Sequence, residues 1–161
     1  MAVRPIPEGF HTVTPYLVLN KTAEAIDWYK KALGAEEVFR MNGPDGSSVV
    51  HAEIKIGDSM IMMSDESPMN PGVKSPKTAG TSTAGMMIYV NDADAVYNRA
   101  VAAGATVVHP IGDMFWGDRV GNIVDPFGHG WSIATHKEDV TPAEIEQRAR
   151  AFYGQKAAGG H

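Results

Sequence analysis

The sequence predicts an α+β fold built from two copies of one β-α-β-β-β module. Three observations predict it. First, Leu17-Val18-Leu19-Asn20, a helical stretch and Leu33-Gly34-Ala35 return as Ile88-Tyr89-Val90-Asn91, a second helical stretch and Ala103-Gly104-Ala105. Second, the two asparagines and the two glycines recur at one interval to within a single residue. Third, each Gly-Ala is followed by a short strand-like run, Glu36-Glu37-Val38-Phe39 and then Thr106-Val107-Val108. An interval near half the chain is too long for a solenoid. It fits two modules fused into one body, with a functional site where the copies meet.

Each element has its own signal. Val13 to Leu19 is apolar and β-rich and reads as the first strand. From Thr22, the positions Ala25, Ile26, Tyr29 and Leu33 share one helical face, and Gly34 suits the left-handed position after a helix. Val38 to Met41 reads as the next strand, and Gly43-Pro44-Asp45-Gly46 as a turn. Val49 to Ile56 and Met60 to Met63 form a strand pair around the Gly57-Asp58 hairpin. Residues 65–83, with Pro68, Pro71, Gly72, Pro76 and Gly80, read as a linker or lid.

The second module repeats the order. A strand at Met86–Val90 leads to a helix from the N-cap Asp92 to Ala103, then a strand around Val107, with His109-Pro110 in a loop approach. Strands near Val120–Val124 and Trp131–Thr135 flank the turn Asp125-Pro126-Phe127-Gly128. In Thr141-Pro142-Ala143-Glu144, the threonine caps, proline takes the first helical position and glutamate completes a capping box. That helix is expected to reach about Tyr153, with Gly159-Gly160-His161 frayed. The division is thus one domain over 1–139, made of module one (about 12–64), the 65–83 segment and module two (84–139), then a helix and tail over 140–161.

Composition narrows the function. With 14 Lys+Arg against 19 Asp+Glu the net charge is −5, and no basic run is present, which argues against nucleic acid or an anionic membrane as partner. The absence of cysteine removes disulfides and thiolate chemistry. The N-terminal Met1 to Pro7 has no apolar signal core and no segment is long enough to span a bilayer, so a cytoplasmic location is expected. No Gly-rich phosphate loop and no serine in a nucleophile elbow occur.

Six motifs in order over residues 12–139 resemble the vicinal oxygen chelate superfamily of glyoxalase I, bleomycin-resistance proteins and extradiol dioxygenases, and within it the PhnB-like branch. They are Pro15-Tyr16-Leu17-Val18, Ala25-Ile26-Asp27-Trp28-Tyr29, Leu33-Gly34-Ala35, His51-Ala52-Glu53, Trp116-Gly117-Asp118-Arg119 and Asp125-Pro126-Phe127-Gly128-His129. The ending Ala134-Thr135-His136-Lys137-Glu138-Asp139 is similar too. The resemblance implies that each module curls its sheet into a half-open barrel, with a helix on the outer face and the ligand on the concave face. It also implies a homodimer, in which the helix from Thr141 could reach a second subunit. Metal-dependent relatives carry a ligand on the first and last strand of each module. The repeat places those positions at Thr14, Met62, Gly85 and Ser132, none a strong donor for a divalent ion. No metal cofactor is therefore expected; the alternative is one divalent ion at a rearranged site.

His51 and Glu53 stand two apart on one strand and so share a face, opposite Ala52, Ile54 and Ile56. With the apolar set against the helix, the pair faces the concave side, either as a general acid/base couple or as a local polar network. Trp116, Asp118 and Arg119 form a second cluster. The arginine fork can take a carboxylate or phosphate while the indole stacks, or Asp118 and Arg119 form a structural pair. Met60, Met62, Met63, Met86 and Met87 offer either a soft pocket or interior filling. Tyr16 and Tyr89 occupy near-equivalent strand positions and both can line the cavity. His129 is expected to satisfy backbone groups at its turn, Trp131 to face the helix layer, Ser132 the cavity, and His136 to be a solvated strand end.

These readings converge on a small-molecule binding protein of the glyoxalase/bleomycin-resistance type, working without the family's metal. Its ligand is expected to be partly apolar or aromatic with one anionic group. The alternative is a lyase, isomerase or dioxygenase, either metal-dependent through a rearranged site or metal-free through His51 and Glu53. A protein-interaction module is a third.

Overall fold

The computed structural model describes residues 3–158, excepting the side chains of 156–158. Module one runs β1 (Tyr16–Leu19), α1 (Thr22–Leu33), β2 (Glu36–Asn42), β3 (Val49–Ile56) and β4 (Ser59–Asp65). After a short helix α2 (Pro76–Ala79), module two runs β5 (Gly85–Tyr89), α3 (Ala93–Ala102), β6 (Thr106–Asp113), β7 (Asp118–Val124) and β8 (Gly130–His136), followed by α4 (Pro142–Ala158). Strand order is β1-β4-β3-β2 in one sheet and β5-β8-β7-β6 in the other. In each, the first strand runs parallel to the last and the other pairs are antiparallel. This is the expected pair of β-α-β-β-β modules.

Alternation decides which face each sheet buries. In module one, Leu17, Ala52, Ile54, Ile61 and Met63 pack under α1. Module two presents Gly121, Ile123 and Ile133 to α3 and Trp131 to Tyr29 of α1. The helices also pack on each other, and a single hydrophobic core runs through both modules. Helices α1 and α3 therefore cover one face of each sheet; the opposite face is open in module one, whereas in module two Asp118, Val120 and Ala134 on that face are themselves buried.

Several boundaries differ from expectation. The first strand begins at Tyr16 rather than Val13, because Pro15 offers its carbonyl to the Met62 amide but has no N–H to continue the ladder. His109-Pro110 lies within β6, not in a loop: β6 is an edge strand with register shifts on both sides of His109, where proline is tolerated. The 65–83 segment carries α2, capped by the Ser75 hydroxyl accepting from the Thr78 amide at 3.3 Å. The last helix extends past Tyr153 to Ala158, and its Thr141 cap accepts from the Glu144 amide at 3.4 Å. Residues 159–161, expected to fray, lie outside the described residues.

Candidate functional site

The bare face of module one holds four of the sequence-predicted site residues together. Tyr16 on β1 is the register partner of Met62 on β4, and Met62 is also opposite Glu53 on β3. His51 stands two residues from Glu53 on the same face. Its Nδ1 lies 3.2 Å from the Tyr16 hydroxyl and its Nε2 3.3 Å from a Glu53 carboxylate oxygen. A carboxylate only accepts, so Nε2 carries the hydrogen, and in the neutral ring Nδ1 accepts from the tyrosine. The resulting order is Tyr16, then His51, then Glu53. Phe39 and Met41, opposite Glu53 and His51 on β2, add apolar surface that sequence reasoning had not assigned. Their alternation along β2 was the available signal. Tyr16, Phe39 and Met41 are 48%, 49% and 46% exposed, so this is an open apolar floor crossed by one polar row.

The corresponding face of module two is wired differently. Asp118 is only 5% exposed and accepts from Tyr89 Oη at 3.0 Å, Trp116 Nε1 at 3.1 Å and His136 Nδ1 at 2.7 Å. Burial works to raise the Asp118 carboxyl, but the hydrogen bonds from His136, Tyr89 and Trp116 outweigh it and hold it below its ordinary 3.8. His136 bridges onward to Asp139 at 3.0 Å. Asp139 and then Asp118 raise it above its ordinary 6.5. His136 is thus a built member of this cluster rather than a bare strand end. The signal was its phase: it shares a face with Ser132 and Ala134.

Arg119 is not brought to either bare face. It pairs with Thr135 on the helix-covered side, where its guanidinium takes Asp94 of α3 at 2.5 and 2.7 Å and Asp113 at 3.2 Å. An Asp118–Arg119 pair is not formed either. Adjacent strand residues point to opposite faces, so the two side chains diverge. Tyr16 and Tyr89 fall on corresponding faces of different modules, two residues out of equivalence, since the repeat matches Tyr89 to Val18 and Tyr16 to Met87. Of the methionines, Met60 and Met63 are buried and Met87 is 47% exposed. Trp131 is buried against α1, and Ser132 on the opposite face accepts from Asn122 at 2.6 Å.

His129 is buried and places Nε2 3.1 Å from the Val18 carbonyl, so it ties β1 to module two. The turn amides of Phe127 and His129 are instead satisfied by Asp125. A cleft of about 880 Å³ opens between the modules, lined by Thr14, Met86, Met87, Tyr89 and Trp131 among others. It reaches Tyr89 but not His51 or Glu53.

The four positions at which the resemblance implies a metal ligand carry a hydroxyl (Thr14), a thioether (Met62), no side chain (Gly85) and a hydroxyl already bound to Asn122 (Ser132). Among the described residues no group of three or more His, Cys, Asp or Glu could hold a metal ion. Hard or borderline divalent ions need several convergent N or O donors, and this set does not fit one. Among the described residues no helix is long and apolar enough to cross a membrane.

The glyoxalase/bleomycin resistance protein/dioxygenase superfamily sequence model matches residues 9–133. A Mycobacterium bovis protein described as uncharacterised is 41% identical over 136 residues, covering 83% of this chain and 89% of that one. The X-ray structure of an Arabidopsis thaliana gene product superposes with a TM-score of 0.63 at 26% identity, over 80% of this chain and 99% of that one. A Bacillus cereus PhnB protein shares the fold alone, with a TM-score of 0.61 at 17% identity over 78% and 99% of the two chains. Matched over most of its length in sequence and carrying both modules, the chain belongs to the glyoxalase/bleomycin resistance protein/dioxygenase superfamily.

Proposed function

We propose that the protein binds a small, partly apolar or aromatic molecule on the bare sheet face of module one, without a metal ion. The observation that carries this reading is the open floor of module one, where Tyr16, Phe39, Met41 and Met62 surround the His51–Glu53 pair. Ligand sites are mostly apolar with a few placed polar groups, and this face has that composition. It lacks a cover. A second copy of the chain would supply one, so a homodimer belongs to the proposal: exposed aromatic and aliphatic surface of this kind marks contact sites. Arg119 is committed to Asp94 and Asp113, so an anionic ligand group would have to meet its partner elsewhere.

A thermal-shift screen of planar aromatic acids and alcohols tests the reading. A hit should raise the unfolding temperature in proportion to RT ln(1 + [L]/Kd). Met62→Asp, which puts a charge on the floor without touching the core, should abolish the shift. A hit that stabilises Met62→Asp equally would contradict placement on this face.

A further inference from the structure

We infer that the ligand of this face is a planar weak acid, bound as its anion with its proton taken up by His51 through Tyr16. The inference rests on the binding reading above and names its ligand class. Glu53 fixes the His51 tautomer, leaving Nδ1 as a free base covered only by the tyrosine hydroxyl. Tyr16 Oη donates to Nδ1 and keeps its lone pairs towards the open side, since Tyr16 is half exposed. A phenol, enol or N–H heterocycle lying on Phe39, Met41 and Met62 can present its proton to that oxygen.

The step balances within the row. The ligand O–H or N–H bond breaks and its proton joins Tyr16 Oη, while the original tyrosine proton passes to His51 Nδ1. Imidazolium and ligand anion result, with no oxidant, reductant or further reactant. The cation is met by Glu53 behind it and the anion by the tyrosine hydroxyl in front. The other charged groups facing His51 are Lys55, two residues beyond Glu53, and Glu36, which is opposite Lys55 on β2. From β4 the face receives Met60, Met62 and Ser64, and from β1 Tyr16 and Val18, so Tyr16 is the only titratable group these two strands add. Module two offers no such base. There the carboxylate is central, three donors converge on it, and His136 is held between two acids. The row therefore supplies the anion partner that Arg119, bound on the other side of the second sheet, does not.

The probe is 4-nitrophenol, whose phenolate is coloured, titrated by absorbance in the presence of saturating protein, with 4-nitroanisole as the analogue lacking the acid proton. The bound probe should ionise about one pH unit lower than in water, as expected for an acid brought beside a new positive charge. The anisole should bind about tenfold more weakly. Tyr16→Phe and His51→Gln should bind the probe about tenfold more weakly and return the ionisation of what is bound to the aqueous value, and Glu53→Gln should reduce the shift. Bound probe that titrates as in water, a shift that survives Tyr16→Phe and His51→Gln, or anisole binding as tight as the phenol would overturn the inference and leave the binding reading standing. No saturable binding of either probe would overturn both.

Discussion

The carboxylate of Asp125 accepts from Tyr29 Oη at 2.7 Å, Trp131 Nε1 at 2.8 Å and the amides of Phe127 and His129 at 2.9 Å. Tyr29 belongs to module one and the rest to module two, so this one side chain joins the halves inside the core. Burial, then the Asp125 charge, pushes the Tyr29 hydroxyl well above its ordinary 10.0. Asp125→Ala would strand four buried donors and should cost about 3–5 kcal/mol, read as a fall in the urea midpoint. A loss below about 1 kcal/mol would show that water replaces the carboxylate. His136 gives a pH prediction. Its native pKa is raised, so its contribution is full below the ordinary 6.5 and is lost as pH rises through the native value. Asp118 has the opposite sense, contributing above 3.8 and losing its contribution as pH falls through its lowered native value. His136→Asn should flatten the alkaline decline in the urea midpoint; an unchanged decline would assign it to other groups. The donor set at Thr14, Met62, Gly85 and Ser132 predicts less than one divalent ion per chain after dialysis against zinc, manganese or nickel, measured by elemental analysis. At this scale the sequence disclosed the His51–Glu53 pairing, because period two puts i and i+2 together. It hid the Arg119 partners, because Asp94 lies on a helix whose packing no local pattern specifies.

Each module uses its last strand to cap its own helix. Asp65 at the end of β4 accepts from the Thr22 amide at 2.8 Å, and Thr135 on β8 accepts from the Ala93 amide at 2.9 Å. Orphan amides of the first helical turn need such acceptors, and the two stand at matching places in the repeat. Local capping was legible in Asp92, which accepts from the Ala95 amide at 2.9 Å. The long-range caps were not, since they are separated in sequence by 43 and 42 residues. Element edges misread from sequence were those set by pairing, such as the extension of β6 through Pro110. Close approach of α3 to β7 depends on Gly121, where a Cβ would stand 2.5 Å from the Tyr97 ring. Gly121→Ala should destabilise by about 1–3 kcal/mol through this overpacking. A neutral effect, read in the same urea assay, would mean that the Tyr97 ring can swing aside.

At the level of the whole molecule, the repeat foretold two modules but not how they face. Their helices meet in one core, and the sheets turn their other faces outward with Tyr16, Phe39, Met41, Met87 and Tyr89 in view. That disposition follows from inter-module contacts such as Tyr29–Asp125 and His129–Val18, which couple residues far apart in the chain. Light scattering after gel filtration should give twice the 17.3 kDa chain mass. A monomer at micromolar concentration would remove the cover proposed for the open faces. The central claim, that ligand binds the bare face of module one, is tested most directly by amide and methyl NMR during titration with 4-nitrophenol. Perturbations should concentrate on Tyr16, His51, Glu53 and the Met41 and Met62 methyls. Shifts confined to the inter-module cleft around Met86 and Trp131, with these residues unmoved, would contradict it.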